Sequence, residues 1–377
     1  MLNVEYKKCT GCRLCAENCP KKCITMEENE EGFLYPKITD PKKCINCDIC
    51  NKMCPTNIKI EKNEKKYYAL QLKECKKLKK CASGGAFTTL ALKVISLGGT
   101  VCGVCQENKE LKFEFVTKEK DLDKLMGSKY YQCNLDKYVY DYLKEINSNE
   151  LILFSGTPCQ TAAIESKFRN KFGNKLITVE IICQGVPSHN VINQFYKEKE
   201  EEKGKKIKNH FFRSKDKYVG RNYLNKYVYL DNEIEYLKGS DDSLTKSFQN
   251  KIFLRESCYN CNFTQNNRLS DFTIGDLWNY DLKDKSFDFK KGISVLVVNN
   301  ERAQKIIEDC NEICLLEEIS ADSVSSNVPF NKSVKRPLSR NFSYKLLSKH
   351  IKFKNVVNTC CVNYNIKLCI KKILKRS

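Results

Sequence analysis

Apolar and polar positions alternate with different periods along the chain, and the most legible stretch lies between residues 151 and 203. Residues 151–154 (LILF) are a short unbroken apolar run, a turn follows at 155–160, and residues 161–172 carry helical spacing. A second run at 176–183 (LITVEIIC) leads through 185–188 into a helix reaching about residue 203. Two continuous apolar strands joined by a helix of this length predict a parallel βαβ unit. In such sheets ligands sit in the loops past the carboxyl ends of the strands, and those two loops hold Cys159 and Cys183.

On either side the pattern is weaker. Residues 61–80 are densely charged and read as a strand and linker. Residues 81–88 (CASGGAFT) open an apolar helix that runs to about Leu97, where Gly98-Gly99 stops it. Segments 100–106 and 113–117 read as strands, and 121–126 as a short helix ending at Gly127. Downstream, 208–213 and 223–230 look extended and suggest an antiparallel part, 293–298 is a strand and 301–310 a helix. Beyond about 325 the chain is Lys-rich and loses pattern, ending in a basic, roughly amphipathic helix candidate at 366–375.

The first sixty residues carry no such periodicity and are organised by cysteine instead. Cys9, Cys12, Cys15 and Cys19 precede Pro20, and 35 residues later Cys44, Cys47, Cys50 and Cys54 precede Pro55. Both runs read C-x2-C-x2-C-x3-C-P, the bacterial two-cluster ferredoxin pattern, in which the fourth cysteine ligates the other cluster. One [4Fe-4S] cluster is therefore assigned to Cys9, Cys12, Cys15 and Cys54, and the other to Cys44, Cys47, Cys50 and Cys19. Structural zinc favours paired rather than tripled cysteines, and disulfide frameworks suit small secreted chains. The chain handles single electrons.

Composition narrows the remaining classes. No positively charged leader with an apolar stretch and no run of about 18 apolar residues is present, so no transmembrane segment is expected. The 23 cysteines are then expected to be reduced or metal-bound in a cytoplasmic setting. A formal net charge of +20 invites a nucleic-acid reading. The excess, however, is mostly Lys scattered among Asn, Glu and Ile, without a nucleic-acid-binding signature, and anionic clusters offset part of it. No nucleic-acid partner is expected; an acidic redox partner such as a ferredoxin or flavodoxin, an enzyme subunit, or a membrane surface fits better. No G-x-G-x-x-G follows the βαβ strand, and His189, His210 and His350 form no metal or triad arrangement.

Cys258-x2-Cys261 alone is compatible with zinc, a redox dithiol or coincidence. Joined to Cys159 and Cys183 at adjacent strand ends, it would complete a four-cysteine set for a third cluster. The other cysteines, including Cys102 and Cys105 within one predicted strand, are expected to be packing or exposed thiols.

Six ordered segments complete the picture: SGGAFT at 83–88, GSKYYQ at 127–132, LFSGTPCQ at 153–160, CQGVPS at 183–188, SCYNC at 257–261 and IGDLW at 274–278. With these segments the chain resembles the coenzyme F420 hydrogenase/dehydrogenase beta subunit family, in its version with an N-terminal two-cluster ferredoxin. The resemblance covers roughly residues 65–320. It implies an iron–sulfur flavoprotein that carries FAD and passes electrons between flavin, clusters and a deazaflavin or other partner, and it supports the third [4Fe-4S] cluster. The implied fold is of the α+β/α/β class: a two-cluster ferredoxin-like domain at 1–62, then a mixed α/β flavin-binding domain with a βαβ unit. That domain has an N-terminal part at 63–150 and a C-terminal part at 151–325, followed by a basic tail at 326–377.

The chemistry of the matching segments agrees with this. Ser83, Gly84 and Gly85, with Phe87, form a turn at a helix start that could offer N–H groups to a pyrophosphate, or simply an N-cap. Gly127, Ser128, Lys129 and Tyr130 would bring a cation and an aromatic ring to the same pocket. Thr157 and Gln160 could bond the flavin edge or cap their helix. Arg213 and Arg255 could meet a phosphate or a substrate carboxylate, and Asp276 and Trp278 could be functional or structural. The implied function is electron passage between a reduced carrier and a partner or small substrate; the alternative is a non-catalytic subunit wiring a partner enzyme to the ferredoxin pool. Relatives also occur in bacteria, some associated with surface polysaccharide synthesis, so the resemblance implies the cofactor set and not the deazaflavin as carrier.

Overall fold

In the computed structural model, which describes residues 5–61, 63–219, 222–278, 281–325 and 327–361, the N-terminal stretch folds around its cysteines. Its own apolar core is only Cys15, Cys23 and Ile24 with a few half-buried neighbours. The sequence repeat is also a backbone repeat. Helical turns α1 (Leu14–Glu17) and α2 (Ile49–Lys52) follow equivalent cysteines. Before them, Gly11 and Asn46, then Arg13 and Asp48, all take positive φ. Left-handed residues on both sides of the second cysteine bend the chain so that successive thiols face one centre. Between the two turns, β1 (Ile24–Glu28) and β2 (Leu34–Ile38) form an antiparallel hairpin.

The rest is built on one mixed sheet. Its elements run β3 (Lys66–Leu72), α3 (Cys75–Lys80), α4 (Ala86–Ser96), β4 (Thr100–Glu107), β5 (Glu110–Val116), α5 (Lys137–Glu145), β6 (Ile152–Gly156), α6 (Pro158–Phe172), β7 (Leu176–Ile181) and α7 (His189–Lys203). An antiparallel ribbon of β8 (Ile207–Val219), β9 (Asn222–Tyr229) and β10 (Ile234–Lys238) follows, then α8 (Ser243–Asn250). The chain returns to the sheet with β11 (Phe272–Asp276), β12 (Ser294–Val298), α9 (Glu301–Glu308) and β13 (Cys314–Glu318). It ends, within the described residues, in α10 (Val328–Asn331), α11 (Arg340–Ser348) and α12 (Phe353–Cys360).

The sheet order is β13-β3-β12-β11-β7-β6-β4-β5. Strands β4, β6, β7 and β11 are parallel neighbours, and the outer pairs are antiparallel. The expected βαβ unit is β6–α6–β7, with Ile152 opposite Leu176 and Gly156 opposite Glu180. Alternate residues feed two cores: Ile152 and Phe154 pack with α5, α6 and α7 on one face, Leu153 and Ile177 with α4 on the other. Both faces being covered explains why these strands are apolar throughout.

Three expectations change. The charged stretch 61–80 holds the expected strand, but as an interior one, β3 between β12 and β13 with its last five residues buried, and a helix, α3, where a linker was expected. The short helix expected at 121–126 is a 3-10 turn, Glu119–Leu125. The tail expected from 326 is packed as far as it is described: Leu347, Phe353, Val356, Val357 and Cys361 are buried in the core that also holds Phe195 and Phe253. The helix candidate at 366–375 lies outside the described residues. No helix among those described is long and apolar enough to cross a membrane.

Candidate functional site

The repeat brings the cysteines together in the crossed pattern that the sequence requires. Cys9, Cys12, Cys15 and Cys54 are neighbours: burial pushes the Cys12 thiol up to about 12, and the nearby thiols of Cys54, Cys9 and Cys159 add to it. Burial raises Cys15 as well, with Cys12, Cys9 and Cys54 adding to it. Cys19, Cys44, Cys47 and Cys50 line a second, small cavity together with Cys23. Cys23 Sγ stands 3.5 Å from Cys19 Sγ. Cys47 is exposed, so this second set faces solvent.

The third set comes from three separate segments. Cys159 is in the first turn of α6, just past β6, and Cys183 lies just past β7. Cys258 and Cys261 flank the end of the 3-10 turn Glu256–Asn260. Burial pushes Cys183 well up, and the thiols of Cys258, Cys159 and Cys261 add to it. Cys258 is likewise pushed up to about 12 and Cys261 to about 11 by burial, with neighbouring thiols contributing. The loops interlock: Pro187 bridges Leu254, Arg255 N–H donates to Val186 O at 2.9 Å, and Gly185 N–H donates to Cys183 Sγ at 3.3 Å. Gly185 has φ +120°, and a Cβ there would press on the Cys258 side chain at 2.8 Å. Only glycine lets the backbone wrap so closely around the thiols.

Among the described residues no three His, Cys, Asp or Glu side chains converge as around a single metal ion. Tetrahedral zinc needs its sulfurs about 2.3 Å from one point. Each corner of a [4Fe-4S] cube takes its own thiolate, so its sulfurs stand apart. The described cysteines are all free thiols.

Cys159, Cys183, Cys258 and Cys261 form one wall of a cavity of about 1090 Å³, which Cys12 also reaches. Nine of the ten candidate flavin residues line it: Ser83, Gly85 and Phe87 from the turn before α4; Gly127, Ser128, Lys129 and Tyr130; Thr157 and Gln160. Gly84 is the exception. A Cβ there would fall onto the Leu70 carbonyl and the Ser294 amide, and its N–H donates to Ser294 Oγ at 2.9 Å. It is a wedge between β3 and β12, not a cavity residue. Ser83 faces the cavity but its hydroxyl is already donated to Ile293 O at 2.7 Å.

Thr157 and Gln160 close a capping box on α6, with Gln160 Nε2 donating to Cys133 O at 2.7 Å. They stiffen the loop that carries Cys159. Lys129 Nζ donates to the carbonyls of Leu125 and Met126, each at 2.8 Å. Burial pulls its pKa down to about 8.

Residues far apart in the sequence also meet here. Arg213 donates to both Asp276 carboxylate oxygens, at 2.7 and 2.9 Å, and to Tyr130 Oη at 3.2 Å. Its guanidinium lies 5.9 Å from the Trp278 ring. This ion pair on the cavity wall gives the site a fixed polar edge. Sequence reasoning missed Lys215: its ammonium donates to Leu78 O at 3.1 Å and to Ser83 O, fixing the turn before α4. Nothing in its Ser-Lys-Asp-Lys context marks it. Arg255 also lines the cavity. It is 1% exposed and turned toward the N-terminal module, donating to Cys9 O at 2.8 Å and Leu34 O at 2.7 Å.

Thiol sets in adjoining positions around a large cavity define an iron–sulfur electron-transfer protein. Residues 8–58 match the model of the 4Fe-4S dicluster domain. Residues 149–323 match the model of the C-terminal part of the coenzyme F420 hydrogenase/dehydrogenase beta subunit. The chain thus combines a 4Fe-4S dicluster module at residues 8–58 with a segment, residues 149–323, that matches the coenzyme F420 hydrogenase/dehydrogenase beta subunit family. Among solved structures it is similar to a chain of the F420-reducing [NiFe] hydrogenase complex from Methanosarcina barkeri, at 14% identity and a TM-score of 0.48, over 78% of this chain and 91% of that one. Comparison with curated proteins returned no match.

Proposed function

We propose that the protein is an oxidoreductase holding three [4Fe-4S] clusters and one FAD, moving electrons between a reduced carrier and a partner protein or small substrate. The observation that carries this reading is the quartet Cys159, Cys183, Cys258 and Cys261. It forms a wall of the cavity and is a near neighbour of Cys12, so a cluster there would stand between the N-terminal module and any ligand in the cavity. Clusters exchange single electrons and a flavin exchanges a hydride, so the set would convert one kind of transfer into the other.

The chain's own residues supply position and exclusion. Gly85, with φ +85° at the N-cap of α4, and Gly127, with φ +82°, bring backbone to the cavity surface. They and Lys129 suit the phosphates of a dinucleotide, while Phe87 and Tyr130 offer apolar and aromatic surface to a ring. The Arg213–Asp276 pair fixes the edge beside Tyr130. Cys9, Cys12, Cys15 and Cys54 would hold the inner cluster of the module, and Cys19, Cys44, Cys47 and Cys50 the outer one.

At the outer set Cys47 is exposed beside Ile45, 58% exposed, and the exposed Lys21, Lys22, Lys42 and Lys43. This face suits an acidic one-electron carrier. Anaerobic mixing with reduced F420, NADH or reduced ferredoxin, followed by loss of the cluster absorbance, tests the reading. Reduced ferredoxin is expected to bleach the clusters, at a rate that falls as salt rises. Bleaching by none of the three donors would contradict the proposal. Reduction by ferredoxin without turnover of any small substrate would favour the wiring-subunit alternative.

A further inference from the structure

Of the three arginines buried among the described residues, Arg268 pairs with Glu180 and Arg340 with Glu31. Arg255 has no carboxylate partner among the described residues. Its Nε donates to Cys9 O at 2.8 Å and one Nη to Leu34 O at 2.7 Å. That same Nη stands 3.8 Å from Cys9 Sγ, and the other lies 3.5 Å from Gln132 Oε1. The guanidinium lies over the Tyr35 ring, 4.3 Å from its centroid. Gly11 makes room for it: a Cβ there would come within 2.9 Å of the guanidinium. A cation sealed from water with only neutral partners is costly. The fold has nevertheless shaped a glycine, two carbonyls and an aromatic face around it.

We propose that Arg255 is a positioning residue that supplies the fixed counter-charge of the cluster held by Cys9, Cys12, Cys15 and Cys54. This rests on that cluster's assignment above. With four thiolates the oxidised cube is anionic, and reduction adds one electron and no proton. A permanent cation donating toward a ligand sulfur in a water-poor setting favours the more negative, reduced form. Because Arg255 also accepts the Cys258 N–H at 2.9 Å on its own carbonyl, the segment that sets this charge is the one that presents the third quartet. Arg255 thereby favours electron residence at the junction between module and cavity.

The test is an EPR-monitored redox titration with dithionite on the anaerobically purified full chain, with iron measured on the same samples. R255Q should lower the midpoint of the cluster held by Cys9, Cys12, Cys15 and Cys54 by about 59 mV or more, a tenfold loss in its one-electron reduction constant, with a smaller shift at the third site, whose Cys159 and Cys258 also feel Arg255, and none at the outer cluster. R255K, which keeps the charge, should stay within that tenfold of the parent. Q132E keeps Arg255 but sets a carboxylate at its 3.5 Å contact; it should lower the same midpoint, and it decides the matter if R255Q loses iron. Unmoved midpoints at full iron content in R255Q and Q132E would overturn this inference alone, as would equal shifts in R255Q and R255K. A parent protein lacking the N-terminal cluster signals would overturn the cluster assignment together with it.

Discussion

Cys258→Ala is expected to lower iron content by one cluster, about four of about twelve atoms per chain, while the signals of the N-terminal clusters persist. The quartet is assembled from three segments, and Cys258 is closely held. Gly185 packs against its side chain, and its N–H donates to Arg255 O at 2.9 Å. Burial holds the metal-free thiol up near 12, so the pocket disfavours a bare thiolate; iron displaces the proton on binding and removes that penalty. The N-terminal clusters draw no ligand from this set, which is why their signals should survive. Iron and sulfide analysis with EPR on the purified variant checks this, and unchanged iron would refute the third site.

Phe353→Ala is expected to destabilise the fold by about 3–5 kcal/mol. Phe353 is fully buried, with ring centroids 5.4 Å from Phe195 and 5.6 Å from Phe253. Its ring thus joins α12 to α7 and to the segment that leads through Arg255 to Cys258. Denaturant unfolding under anaerobic conditions should show a lower midpoint at an unchanged slope. A midpoint equal to the parent's would mean that α12 contributes no core. Arg340 adds to the same attachment, donating to both Glu31 carboxylate oxygens at 2.9 and 2.7 Å across to the N-terminal module.

What could be read from the sequence followed from how local each signal was. The cysteine repeat and the β6–α6–β7 unit are local patterns, and both appear in the structure where their spacing placed them. Cys159 and Cys183 were legible because strand ends are where open sheets present side chains. The C-x2-C spacing of Cys258 and Cys261 suggested joining them to that pair, and the family resemblance supported it, since nothing local says which loops will meet. Strand β3 was legible as a strand, but its interior place was not: KYYALQL follows EKNEK, and the surrounding charge masked five buried residues. Helices α11 and α12 hid because lysines surround a few buried positions, so only packing against Phe195 and Phe253 shows which face is inside. Gly84 looked like a phosphate turn because a wedge between strands and an anion cradle both call for glycine. Arg255 read as a ligand for solvent-borne anions because its partners are carbonyls more than two hundred residues away.

The central claim, a cluster relay ending at a flavin cavity, is tested most directly by iron, acid-labile sulfide and flavin analysis of the anaerobically purified chain. The account predicts about 12 Fe per chain, three cubes of four, with one FAD. About 8 Fe and no flavin would contradict it, leaving only the N-terminal module.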